Sequence, residues 1–271
     1  MTAAETVARH ETNLAGADYF LRVLTLRGPD PAADQRPWLV FLHDSLGCIA
    51  LWRDFPVRLA AATSCHALVY DRRGYGQSAP LGEGPRPHDY HAAEVPDLWR
   101  VLDLHGIERA VLVGHSDGGT IALQAAALGP ERVSGVVTEG AHVFVEEETL
   151  AGIRQARQLY QTTDLPARLA RYHGPKTEAV FRAWTDTWLR PDFRSWNVEE
   201  YLPRVQCPVL VLQGAADEYG TWAQVDAITA QTGGPSRSER LPGVGHTPHK
   251  EAPAATLGLM TDFVNSVVAP V

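Results

Sequence analysis

Short uninterrupted runs of apolar residues alternate along this chain with longer stretches in which apolar positions recur every three or four residues. The first pattern fits strands buried on both faces, and the second fits helices that cover them. Trp38–Leu42, Ala67–Tyr70, Val111–Val113, Val133–Val137 and Cys207–Leu212 read as buried strands, and Arg237–Leu241 as a further one. Helical periodicity falls over Leu51–Ala62, His91–His105, Thr120–Leu128, Trp222–Thr232 and Ala252–Val267. Ahead of these, Thr6–His10 and Tyr19–Leu26 alternate apolar and polar positions, which predicts two antiparallel edge strands joined near Ala15-Gly16. Strand–helix alternation of this kind implies an α/β fold with a mostly parallel central sheet and right-handed crossovers.

The rhythm breaks once. From Val143 to Pro203 the pattern is helical throughout, with Glu147–Thr162, Thr177–Leu189 and a short piece near Val198–Tyr201. A block of about 60 residues is too long for a connection. Residues 143–203 therefore read as a helical cap inserted into a core made of 1–142 and 204–271.

Composition narrows the partners. The 271 residues carry 24 basic and 32 acidic side chains, a net charge of −8, and no basic cluster, so a nucleic-acid partner is not expected. Cys48, Cys65 and Cys207 are odd in number and far apart, which fits reduced thiols in the cytoplasm rather than a disulfide frame or a metal site. Met1–Asp18 has no apolar core of signal-peptide length, and no run is long enough to span a membrane. A soluble cytoplasmic protein, monomer or homodimer, is the expectation.

The chemistry centres on Gly114-His115-Ser116-Asp117-Gly118, which interrupts a strand and opens an alanine-rich helix. A serine at such a turn is held in a strained backbone, projects above the sheet, and has the positive end of a helix beneath it. Ser116 is the candidate nucleophile. A hydroxyl at neutral pH needs a base, and the base needs an orienting carboxylate. Of 11 histidines, His246 in the glycine-rich loop Leu241-Pro242-Gly243-Val244-Gly245-His246 is the base expected, with His249 as competitor. His115 is expected to point away from Ser116, and His105 and His173 to be surface or cap residues. Asp217, just past the Cys207–Gly214 strand, is the expected acid, with Glu139 and Glu218 as alternatives. The oxyanion donors expected are the backbone N–H groups of Asp117 and of Ser45, the latter following the Trp38–Leu42 strand.

Together these residues resemble the α/β-hydrolase superfamily. Asp71-Arg72-Arg73-Gly74-Tyr75-Gly76-Gln77-Ser78 is similar to that family's Asp-x-Arg-Gly-x-Gly-x-Ser turn, and Gly245-His246 with Glu251-x-Pro253 to its terminal histidine loop. The Gly-His-Ser-Asp-Gly-Gly elbow and Val205-Gln206-Cys207-Pro208 resemble the biphenyl-hydrolase-like and valacyclovirase-like branch. One departure stands out: His43-Asp44 replaces the family's His-Gly, which puts the geometry of the oxyanion loop in question. The resemblance implies a cofactor-independent serine hydrolase, free of metal, acting on a small-molecule ester, lactone or related acyl bond. A carbon–carbon hydrolase or perhydrolase with the same triad, or a ligand-binding receptor on the same fold, remain alternatives. Serine where haloalkane dehalogenases and most epoxide hydrolases carry aspartate disfavours both chemistries. In the cap, Trp184 and Trp188 share a helical face; with His142 and Phe144 they are the expected pocket residues. Arg154, Arg157, Arg168 and Arg171 are candidates for a substrate carboxylate or for a solvated face.

Overall fold

The computed structural model describes residues 8–15, 19–28, 31–82 and 84–268. Eight strands form one sheet in the order β1-β2-β4-β3-β5-β6-β7-β8. They are β1 (Ala8–Ala15), β2 (Phe20–Arg27), β3 (Trp38–Leu42), β4 (Ala67–Tyr70), β5 (Ala110–His115), β6 (Val133–Glu139), β7 (Val209–Gly214) and β8 (Ser236–Leu241). β1 and β2 pair antiparallel, as do β2 and β4, and every other pairing is parallel. The first strand lies further along than Thr6–His10, because its register with β2 runs from Ala8 opposite Arg27 to Ala15 opposite Phe20. Thr6, Val7 and the Gly16 joint fall outside the described residues.

Successive residues of the central strands feed two different cores. Val40, Leu42, Leu112 and Val136 belong to one apolar cluster, whereas Leu39, Phe41, Val111, Val113 and Val137 belong to the other. That two-faced burial is the reason these strands read as continuous apolar runs. The first cluster lies against α3 (Val95–Leu104) and α4 (Asp117–Leu128), the second against α1 (Phe55–Thr63) and α10 (Pro253–Val268). Prolines set several helix starts differently from the expected ones. Pro56 and Pro96 occupy the first turns of α1 and α3, so Ile49–Trp52 is a separate 3-10 turn and Tyr90–Ala93 (α2) a separate short helix. Likewise Pro253 opens α10 after the short helix α9 (Pro248–Glu251).

Between β6 and β7 the chain is helical: α5 (Glu147–Thr162), α6 (Leu165–His173), α7 (Thr177–Trp188) and 3-10 turns over Pro191–Ser195 and Glu199–Arg204. Helix α6, absent from the periodic reading, is amphipathic but mostly exposed, so its apolar signal is thin. Its last residue, His173, is buried rather than on the surface. Its Nδ1 accepts from the Gly76 N–H at 3.0 Å, and its Nε2 donates to the Leu46 carbonyl at 3.0 Å. The base of the block is stitched where the Val198 N–H donates to the Val143 carbonyl and Phe144 bridges Asn197. α8 (Trp222–Gln231) completes the layer between β7 and β8.

Candidate active site

The turn from β5 to α4 places a non-glycine residue at positive φ. Ser116 has φ +53° and ψ −118°, a region that residues with a side chain rarely occupy. The Ser116 N–H donates to the Glu139 carbonyl at 2.8 Å, which ties the turn to the neighbouring strand end. A side chain at Gly118 would run into the Leu42 carbonyl, and one at Gly114 into the Gly118 backbone, so only glycine lets helix and strand close around the serine. α4 begins at the residue after Ser116 and is buried along nearly its full length, so the positive end of the helix lies at the serine.

His246 and Asp217 meet on adjacent loops beyond β8 and β7. His246 Nδ1 donates to Asp217 Oδ1 at 2.9 Å, and the same oxygen accepts the Tyr219 N–H at 2.9 Å. Burial alone would push His246 down. Asp217, with Glu218 and Asp44 beyond it, outweighs burial and holds the imidazole above its ordinary value. Asp217 is likewise held below the ordinary carboxylate range: burial opposes ionisation, but the His246 imidazole and the Tyr219 amide more than offset it. Gly140, at φ +56°, passes so near that a Cβ there would lie 2.9 Å from the His246 ring and 3.3 Å from Asp217.

Ser116, His246, Ser45 and Asp117 all line one cavity of about 230 Å³. Its walls add Asp44, Leu46, His115, His142, Thr149, Ile153, Trp184, Trp188, Glu218, Tyr219 and Thr247. Of the expected pocket residues, His142, Trp184 and Trp188 are therefore present. Phe144 is not: it packs into the core cluster beside its bridge to Asn197. Thr149 and Ile153 were not anticipated, although their i,i+4 spacing on α5 was there to be read. The cap arginines are away from this cavity; Arg154, Arg157 and Arg168 pair with Glu147, Asp186 and Asp164 on exposed faces.

One expectation, about His115, is revised, and two of the alternatives pair with each other. His115 does not turn away from the site. Its ring centroid lies 5.1 Å from that of His246, its Nε2 donates to the His246 carbonyl at 2.9 Å, and its Nδ1 lies 3.5 Å from Asp44 Oδ1. The competing base and acid, His249 and Glu139, engage each other, with His249 Nδ1 2.6 Å from Glu139 Oε2 in a fully buried pair against the Trp52 ring. Glu218 is exposed at the cavity rim.

Asp44 takes part in the hydrogen bonding of the oxyanion loop. Its carboxylate accepts the Leu46 N–H at 3.3 Å and faces His115, and it is held well below the ordinary range: burial opposes ionisation, but His115 and then Lys250 prevail. Asp117 is also buried. Tyr90 Oη donates to its Oδ1 at 3.0 Å, His91 Nε2 lies 3.2 Å from that oxygen, and Arg72 lies 3.6 Å from Oδ2.

Residues 37–204 match the family model of the alpha/beta hydrolase fold, more than half of the chain. The chain belongs to the α/β-hydrolase family. This hydrolase is 30% identical over 190 residues to the human serine hydrolase BPHL, covering 67% of its own length and 63% of that relative's. It is 28% identical to the 2-succinyl-6-hydroxy-2,4-cyclohexadiene-1-carboxylate synthase of Serratia proteamaculans, over 84% of this chain and 93% of that one. Among solved structures, the 2-hydroxy-6-oxo-6-phenylhexa-2,4-dienoate hydrolase of a Rhodococcus species superposes with TM-score 0.80 at 18% identity, over 95% and 99% of the two chains. The hydrolase is an enzyme whose described residues include no helix long and apolar enough to cross a membrane.

Proposed function

We propose that this enzyme is a cofactor-independent serine hydrolase that cleaves a small-molecule carboxylic ester, lactone or related acyl bond through an acyl-enzyme on Ser116. The observation that carries the reading is the strained Ser116 turn opening into the same cavity as a His246 imidazole bonded to a buried Asp217. Asp217 fixes the tautomer, so the other ring nitrogen of His246 is free to take the serine proton and pass it to the leaving group. The N–H groups of Asp117 and Ser45 receive the oxyanion. Water activated by His246 then releases the acyl group. Residues 143–203 act as the cap that roofs the cavity, and three unpaired cysteines fit a reducing, cytoplasmic setting.

The lining narrows the substrate. Asp44, Asp117 and Glu218 face or border the cavity, and among the described residues no lysine or arginine lines it. The dienoate and the carboxylate named for the Rhodococcus and Serratia proteins are anions, and an anionic acyl group would meet carboxylates but no lysine or arginine among the lining residues. We therefore assign a neutral or cationic acyl substrate, and the carbon–carbon reading, which needs room for a dienolate, is disfavoured by the same lining.

The test is hydrolysis of p-nitrophenyl butyrate beside the mono-p-nitrophenyl ester of glutaric acid, using wild type and Ser116→Ala. Turnover of the butyrate that Ser116→Ala abolishes, with the glutarate slower, supports the reading. Activity retained by Ser116→Ala overturns the mechanism, and a preferred glutarate overturns the substrate class. A single burst without turnover, or peroxide-dependent oxidation in acetate, points instead to the receptor or perhydrolase alternative.

A further inference from the structure

Arg72 occupies the variable position of the Asp-x-Arg-Gly turn, so the family motif assigns it nothing, yet it is completely buried beside the elbow. A buried guanidinium is expensive unless its surroundings repay it. Arg72 Nη1 donates to Glu94 Oε1 at 3.1 Å, and Nη2 lies 3.6 Å from Asp117 Oδ2. The Tyr75 ring lies 4.6 Å beneath its central carbon. The same Nη2 donates to the Asp44 carbonyl at 3.0 Å.

That carbonyl is the informative contact. The Asp44 C=O and the Ser45 N–H are the two ends of one trans peptide, so fixing the oxygen aims the N–H in the opposite direction. Three donors converge on the oxygen: His43 Nδ1 at 2.7 Å, Arg72 Nη2 at 3.0 Å and the Gly47 N–H at 3.1 Å. His43 in turn is locked by Arg72, whose main-chain N–H donates to His43 Nε2 at 3.0 Å and so leaves the ring proton on Nδ1. Burial, reinforced by the Arg72 charge, holds His43 well below its ordinary value, which keeps it in that neutral form. A carbonyl that accepts several bonds also polarises its peptide and makes the far N–H a stronger donor.

We propose that Arg72 is the positioning residue of the oxyanion hole, clamping the Asp44 carbonyl so that the Ser45 N–H is aimed at the developing charge while bracing Asp117, the carrier of the second donor. The inference rests on the serine-hydrolase reading of this site. One rigid fork reaches both halves of the hole, from the loop after β3 and from the first turn of α4. Both contacts come from Nη2, while Nη1 anchors the fork on Glu94; lysine has no second prong held in fixed geometry to keep that anchor.

The test compares Arg72→Gln, Arg72→Lys and Arg72→Gln with Glu94→Gln, the last leaving no unpaired Glu94 charge. Removing an oxyanion donor lowers kcat by about 100-fold or more. Misaiming one by Arg72→Gln should approach that loss with KM within about threefold, and Arg72→Lys should recover part of it. Affinity for an aryl trifluoromethyl ketone, which becomes an oxyanion on Ser116, should weaken by the factor lost in kcat/KM. Affinity for a non-hydrolysed amide of the same acyl group should hold. If Arg72→Gln does not fold, the charge-neutral double variant and Arg72→Lys carry the measurement. Folded variants with kcat near wild type, a loss confined to KM, or equal weakening of ketone and amide would overturn the proposal. A crystal structure of a folded variant should show the Asp44–Ser45 peptide rotated, and an unmoved peptide rejects the clamp even if wild type cleaves no ester. Failure of the hydrolase reading appears separately, as absence of wild-type turnover or activity in Ser116→Ala.

Discussion

Two buried carboxylate–imidazole pairs lie near the elbow, only one of them at the cavity, and replacing each acid by its amide should have opposite consequences. In Asp217→Asn the Oδ1 position that accepts from His246 at 2.9 Å is offered a side chain with one acceptor and one donor end. In the wild type one oxygen accepts both the Tyr219 N–H and the His246 Nδ1–H, so an asparagine amide oxygen placed there keeps both bonds and what is lost is the charge. The imidazolium that forms when His246 takes the serine proton then has no counter-charge. Replacing the orienting aspartate of a serine triad by asparagine lowers kcat by up to about 10⁴-fold, or about 5.5 kcal/mol at 1.36 kcal/mol per decade. The pH profile moves as well. As the proposed base, His246 acts only when neutral, and its value is raised by Asp217, so the acid limb of wild-type kcat/KM should lie above the ordinary histidine range. Without the Asp217 charge the residual activity should show that limb at lower pH. Glu139→Gln should do the reverse. The pair it breaks is fully buried, with His249 3% and Glu139 0% exposed in their side chains, and burial holds His249 below its ordinary value, so a charged hydrogen bond is lost without leaving an unpaired charge; stability falls by about 1.5–3 kcal/mol and Tm by roughly 5–10 °C. Folded molecules should keep kcat within about threefold, because His249 is turned to Trp52 rather than to the cavity. Steady-state kinetics between pH 5.5 and 9, beside thermal melts of both variants, reads all four quantities. An active Asp217→Asn with a dead but well-folded Glu139→Gln would refute the assignment of the acid.

Three further outcomes follow from the geometry. Ser116→Gly should abolish ester hydrolysis yet raise stability by about 1–3 kcal/mol, since glycine is unstrained at φ +53°; a melt at matched pH checks it. Gly140→Ala should lower kcat by about 100-fold with the Tm also reduced, because the new Cβ meets the His246 ring at 2.9 Å and moves it; the kinetics of the folded variant decide. Trp184→Ala should shift the chain-length optimum of p-nitrophenyl esters to longer acyl groups by enlarging a cavity of about 230 Å³, and an unchanged optimum would place Trp184 outside the acyl path.

The buried strands were legible because each is apolar on both faces, and β3 and β4 match their apolar runs residue for residue. Helix starts were less so where a proline resets the turn, as at Pro56 and Pro96. The elbow, the His246 loop and the β7 end were readable because each carries glycines or a strand terminus at a fixed offset. What the sequence could not supply was partnership between residues far apart in the chain. Glu139 and His249 are separated by 110 positions and looked like rivals for catalysis until they were seen bonded to each other. His115 was judged by strand alternation, which ignores that the His246 loop returns over the end of β5. Arg72 has no local signal at all, since its partners Asp44, Glu94 and Asp117 come from three separate segments.

The fastening of the helical block bears on how molecules travel. α6 is tied to two core loops by His173, and Lys176 Nζ donates to the carbonyls of Tyr75 and Ser78 just beyond it. On the far side the Thr149 hydroxyl of α5 donates to the Tyr219 carbonyl, and Gly152 packs against the Glu218 backbone. Hydrogen bonds on opposite sides oppose swinging of the helical block as a unit. Traffic into the cavity then depends on rotation of individual wall side chains, which is fast, rather than on swinging of the whole block. Turnover should therefore respond little to solvent viscosity, and bulk at the doorway, rather than rigidity of the roof, becomes the quantity that selects which esters enter.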